Sequence, residues 1–289
     1  MSNQIIDTHQ HFWDLSTGSY PWMAGDEMRA LRRNFGPDDL QPLLADNGVS
    51  STIIVQCRHD LAETRDLLAI AATHDFVIGV VGWVNLESGD VPEQIAALRA
   101  LTGGDKLVGI RHNVHDEADP DWLCRSAVQE AVGAVINAGL TFDLLVRSRE
   151  LPAATLLVRR YPQGRFVLDH LAKPPIAEGF SPAWREAFEL LAENDNVWCK
   201  VSGLVTEADT NSCGADTFDL YTRTALTVFG PERILFGSDW PVCTLAATYS
   251  GVKAIAERLV ETHPEIASRF FQLNAIAAYN LRQGFGRKG

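Results

Sequence analysis

Short runs of apolar and β-branched residues recur along the chain. Each is followed by a polar corner and then by a stretch with apolar residues at helical spacing. The runs are Ile5–Thr8, Thr52–Cys57, Val77–Val84, Leu107–Arg111, Thr141–Val146, Arg165–Asp169, Val197–Val201 and Arg233–Gly237. Most are continuous rather than alternating, which predicts strands buried on both faces and therefore parallel. The intervening helical segments are Leu61–Thr73, Val91–Leu101, Asp121–Asn137, Ser148–Arg160, Ser181–Glu193, Ala215–Phe229 and Val252–His263, with a last helix at Glu265–Leu281. Ala138-Gly139 after the third of these is a stop signal. The final stretch, 282–289, is expected to be a flexible tail.

Eight strands alternating with helices over about 250 residues is the arithmetic of a (β/α)8 TIM barrel. The rival is a doubly wound open sheet, which calls for a glycine-rich phosphate turn after an early strand. Here His, Trp and Phe follow the first strand instead. No Pro/Gly/Ser linker divides the 289 residues, so one barrel domain spanning 1–289 is the expectation.

Composition changes this picture only at its edges. The chain is 46% hydrophobic and 21% charged, an ordinary globular balance. Lys and Arg number 25 against 37 Asp and Glu, a formal charge of -12. That disfavours nucleic acid and anionic membrane surfaces as partners. Five widely spaced cysteines without a CxxC argue against a disulfide framework or a cysteine zinc site. The start lacks a signal-peptide pattern, and no apolar run reaches membrane-spanning length. The expected home is the cytoplasm. A monomer and a homo-oligomer both remain open.

Barrel chemistry stands at the C-terminal ends of strands. The first strand ends in Asp7-Thr8-His9-Gln10-His11, and residues two apart share a strand face. His9 and His11 are thus a pair of donors for a divalent metal or for an oxyanion. The eighth ends in Gly237-Ser238-Asp239-Trp240-Pro241, where Asp239 is a general base, a metal ligand or a helix cap. The sixth ends in Asp169-His170, with His170 at the mouth and Asp169 expected to point away. The fourth ends in Arg111-His112, of which one should point inward, and Gln56 closes the second. Lys200 lies within the seventh strand and needs a carboxylate partner if buried. We take it as structural.

Four segments carry a family resemblance over nearly the whole chain, from Ile5 to about Tyr279. They are IDTHQHFW, VLDHLAKP, CKVSGLVTEAD and FGSDWPVC. They resemble the amidohydrolase superfamily, and within it the amidohydrolase-2 branch of sugar lactonases and pyrone-dicarboxylate lactonases. The sugar side rests on Ser19–Trp22 and Leu204–Asp209. The resemblance implies hydrolysis of a sugar-derived lactone, L-fucono-1,5-lactone or a close aldonolactone. It puts metal ligands at His9, His11 and Asp239, with His170 as a further one. The superfamily's strand-five histidine is missing, and Arg111-His112 replaces a bridging Lys or Glu. A two-metal site is therefore not expected. One divalent metal, zinc for instance, and a metal-free site both stay open.

On this basis Asp239 would take the proton from water, and His9 and His11 would stabilise or position the oxyanion. His170 or His112 would donate to the carbonyl or ring oxygen. Trp22, Trp83 and Trp240 are candidates for an apolar floor under a sugar, and Arg111 for contacts to its hydroxyls. Only Arg58 joins Arg111 near a strand end, which favours a neutral lactone over a dicarboxylate. The rivals are a metal-dependent decarboxylase or pyrone-dicarboxylate-type lactonase of the same branch, and a non-catalytic sugar-binding barrel.

Overall fold

The computed structural model describes residues 4–209 and 215–281. Its centre is one eight-stranded parallel sheet whose strands neighbour one another in sequence order. They are β1 (Ile6–Gln10), β2 (Ser51–Val55), β3 (Val77–Gly82), β4 (Leu107–Asn113), β5 (Thr141–Leu145), β6 (Phe166–Leu168), β7 (Val197–Val201) and β8 (Ile234–Phe236). The seam between β8 and β1 is closed by backbone contacts at the mouth. His11 N donates to Trp240 O at 2.7 Å and Asp239 N donates to His9 O at 2.8 Å. The sequence order and near-closure define the expected (β/α)8 barrel.

The outer helices are α1 (Pro37–Asp46), α2 (Leu61–Thr73), α3 (Val91–Arg99), α4 (Ser126–Asn137), α5 (Leu151–Arg160), α6 (Pro182–Ala192), α7 (Ala215–Phe229), α8 (Tyr249–Thr262) and α9 (Asn274–Ala278). Side-chain caps start several of them. Asp60 accepts from Ala62 N, Ser181 from Trp184 N and Thr248 from Gly251 N.

Three elements differ from the pattern-based expectation. Helix α1 was not anticipated, because Pro37 and Pro42 interrupt a segment with few apolar positions. Pro37 falls in the first turn, where a missing N–H costs nothing. The third expected helix begins five residues late, since Trp122–Cys124 forms its own 3-10 turn and Arg125 is extended. The last expected helix is broken into a 3-10 turn at Pro264–Ile266, a π turn at Arg269–Leu273 and α9. The expected tail and Cys213 fall outside the described residues. Cys57, Cys124, Cys199 and Cys243 are free thiols.

The barrel interior is layered. Its lower layer is apolar, with Ile6, Ile53, Val55, Val81, Val167 and Leu235 packed against Ala275, Ala278 and Tyr279 at the chain's C-terminal end. Above it lies an ionic layer of fully buried Lys200, Asp143 and Asp169 with nearly buried Arg111. The mouth residues rest on this layer. Among the described residues no helix is long and apolar enough to cross a membrane.

Candidate active site

A cavity of about 760 Å³ opens at the C-terminal ends of the strands. His11, Arg111, His170 and Asp239 line its floor, while Trp22 lines a wall. His9 lies beneath, fully buried.

Asp239 gathers the histidines. Its Oδ1 lies 3.3 Å from His11 Nε2, 3.7 Å from His9 Nε2 and 3.9 Å from His170 Nε2. Burial opposes the charge on Asp239, but His170 and His11 outweigh it and hold its carboxyl below the usual value. It is therefore ionised across the neutral range, as a general base must be. Burial drives His9 and His170 well below the ordinary histidine value, while the Asp169 and Asp239 carboxylates pull the other way.

The expected orientation of Asp169 is corrected here. Val167 points into the barrel, and Asp169, two residues on, points the same way. Its Oδ2 accepts from Arg111 at 2.9 Å, and its Oδ1 lies 2.9 Å from Lys200 Nζ and 3.4 Å from His9 Nδ1. His170 reaches the mouth because the chain turns left-handed there. His170, Leu171, Ala172 and Lys173 all have positive φ, from 48° to 57°. None is glycine, and each such residue costs about 1–2 kcal/mol. Packing holds the turn: Trp184 Nε1 donates to Leu171 O at 2.8 Å, and His170 Nδ1 pairs with Ser202 Oγ at 2.8 Å.

Gly203 faces that turn at φ +63°, and a Cβ there would lie 2.4 Å from His170 Nδ1. Gly203→Ala is expected to displace the imidazole and lower kcat at least about tenfold, since small misplacements cost that much. Steady-state kinetics on a folded variant checks this, and unaltered kcat would refute it.

Lys200 bridges Asp143 Oδ2 at 2.7 Å and Asp169, and approaches His9 Nδ1 at 3.2 Å. Tyr279 also donates to Asp143, at 2.7 Å. Burial lifts the Asp143 carboxyl to about 6 despite the Lys200 charge. Asp143 thus stands on β5, where the superfamily histidine was missing, and it holds a protein cation.

Other expected residues lie elsewhere. Arg111 faces inward, so its neighbour His112 faces out and lies off the catalytic cavity. His112 stacks between His59 and Trp122, accepts from Trp83 Nε1 at 3.2 Å and meets Glu117 at 2.8 Å. Burial lowers it to about 4. Its expected role as a donor to substrate does not fit this place, nor does the floor role for Trp83. Trp240 is 2% exposed and packs edge-on against Phe12 and Phe35. Arg58 lies near the Tyr20 ring, off the catalytic cavity. Trp22 does line the cavity, and its indole N–H is buried without a partner. The charged loop residues Arg147, Lys173 and Glu207 also line it, and strand-end reasoning missed them.

The donor set fits one divalent ion. Ligand atoms of His9, His170 and Asp239 all lie within 4.8 Å of one another. His11 Nδ1 donates to Val55 O at 2.7 Å, so Nε2 is the atom that faces Asp239. An imidazole nitrogen facing a carboxylate oxygen at 3.3 Å calls for a proton or a cation between them. A second ion does not fit, because Lys200 and Arg111 already fill the interior beneath.

An eight-stranded parallel barrel with histidines and an aspartate converging at its mouth is the frame of a hydrolase. The Amidohydrolase family model matches residues 6–281, and the chain belongs to that family. The L-fucono-1,5-lactonase of Burkholderia ambifaria is 41% identical over 286 residues, 97% of each chain. The L-fucono-1,5-lactonase of Burkholderia multivorans is 39% identical over 279 residues, 91% of each. A zinc-bound amidohydrolase structure from Burkholderia multivorans superposes with a TM-score of 0.90 at 36% identity, covering 96% of this chain and 100% of that one.

Proposed function

We propose that the protein hydrolyses a sugar-derived lactone, L-fucono-1,5-lactone or a close aldonolactone, to the sugar acid. The observation that carries this is the ionised Asp239 at the head of three imidazoles, in a chain so similar to two lactonases. The cavity supports a neutral substrate. Its carboxylates are Glu27, Asp116, Glu207 and Asp239, and its cations are Arg111, Arg147 and Lys173. That near balance offers a dicarboxylate no net attraction.

Asp239 takes a proton from water as the oxygen attacks the lactone carbonyl. Arg111 places a fixed positive charge at the cavity floor, where the carbonyl oxygen gains negative charge. Arg111 itself is held by Asp169 and by the Gln56 carbonyl. His170, anchored by Ser202, positions the carbonyl. When the tetrahedral intermediate collapses, the C–O bond to the ring oxygen breaks. Asp239 returns its proton to that oxygen, leaving a hydroxyl and a carboxylic acid. A divalent ion held among His9, His11, His170 and Asp239 would polarise the carbonyl and lower the cost of the same charge.

The test is a pH-indicator assay over an aldonolactone panel, with and without a chelator. L-Fucono-1,5-lactone or a close relative is expected to release one proton per ring opened. Carbon dioxide release from an aromatic acid, with every lactone inert, would instead make the protein a decarboxylase. The chelator arm separates electrostatics borne by a metal from those borne by Arg111 and the histidines.

A further inference from the structure

The Leu204–Asp209 segment is not used by the chemistry above, yet it supplies part of the cavity wall. Glu207 stands there 13% exposed, between two cations from different loops. Lys173 Nζ meets its Oε1 at 2.7 Å and Arg147 Nη1 meets its Oε2 at 3.2 Å. Lys173 follows β6, Arg147 follows β5 and Glu207 follows β7, so three consecutive loops join in one charged wall.

We infer that Glu207, oriented by Lys173 and Arg147, is the specificity-determining residue that reads the hydroxyl groups of the substrate. The inference rests on the lactonase reading and deepens it. Each oxygen of Glu207 accepts one of these ion-pair contacts, and a carboxylate has about four acceptor sites. Capacity therefore remains for hydroxyl donors from the cavity. The ammonium of Lys173 has three N–H groups, of which Glu207 takes one. The wall thus offers acceptors and donors side by side. A sugar hydroxyl needs both, since it gives one hydrogen bond and receives others. Trp22 lines the same cavity and sets an aromatic side chain beside this charged wall.

A salt bridge that only latched the loops would be indifferent to what the cavity holds. A reader of hydroxyls would discriminate, because a site built to bond an OH rejects an analogue lacking it. The experiment compares L-fucono-1,5-lactone with unsubstituted δ-valerolactone in the wild type and in Glu207→Gln. If the wild type does not turn over δ-valerolactone, its inhibition constant against the hydroxylated lactone takes the place of its kcat/KM. The preference for the hydroxylated ring is expected to fall at least about tenfold, carried mainly by KM. Lys173→Gln approaches the same carboxylate from its partner and should shift the preference in the same direction, should Glu207→Gln fail to fold. A preference left unchanged in the folded variants, whatever happens to overall rate, would overturn the inference. A wild type inert on every hydroxylated lactone would instead remove the lactonase reading itself.

Discussion

Asp239→Asn is expected to lower kcat by about 100-fold or more, because an amide cannot accept the proton of the attacking water. The substitution keeps the shape, and its carbonyl can still face His11. The backbone of residue 239 would continue to donate to His9 O, so the barrel seam survives. KM should therefore change much less than kcat. Burial alone would have left Asp239 a weaker anion, but His170 and His11 keep it charged. The amide removes that charge and loosens the histidines as well. Steady-state kinetics with a circular-dichroism check of folding gives the answer. Turnover within a few-fold of wild type would show that another group activates water.

Lys200→Met is expected to have the largest effect on stability. It leaves Asp143 and Asp169 facing each other in a fully buried layer without their shared cation. Removing one partner of a buried ion group costs about 3–5 kcal/mol. Arg111 remains as a partner for Asp169, whereas Asp143 keeps only the Tyr279 hydroxyl. The loss should be worse at alkaline pH. The Asp143 carboxyl is already raised to about 6 from 3.8, and without Lys200 it rises further. A carboxyl raised on folding is protonated in the folded chain while the unfolded chain has already lost its proton. Stability therefore falls as pH climbs from the unfolded value through the folded one. Urea denaturation at pH 5 and pH 8 would show the larger deficit at pH 8. A loss under about 1 kcal/mol at both would mean that the ionic layer is dispensable.

Much of the site was legible in the strand ends. His9, His11, Arg111, His170 and Asp239 stand where a barrel puts its chemistry, and residue type at a strand terminus was the signal. Period-two alternation separated Arg111 from His112 in principle, since one of two neighbours must face out. It did not say which. That choice depends on register against β3 and β5, which is a long-range property. The same rule applied from Val167 would have turned Asp169 inward. The misleading neighbour was His170, which arrives at the mouth through a left-handed turn made without glycine. No local pattern announces such a turn, because tertiary contacts from Trp184 and Ser202 hold it. The ionic layer was half visible, in that Lys200 demanded a carboxylate. Its two partners lie 57 and about 30 positions away in sequence. The charged wall of Arg147, Lys173 and Glu207 lies in loops, where spacing carries little information.

The closure of the barrel has a consequence for how the protein comes to be active. Thr8 Oγ1 donates to Phe236 O across 228 residues, beside the backbone bonds that join His9 and His11 to Asp239 and Trp240. His9 and His11 therefore sit near one end of the folding chain and Asp239 far along it, with His170 between them. Contacts this distant in sequence form slowly, because the loop entropy must be overcome before they stabilise anything. A nascent chain emerging from the ribosome would carry its histidines early and have no base for them to meet. Activity would then appear only once the last strand has docked against the first, making turnover itself a report on closure of the barrel.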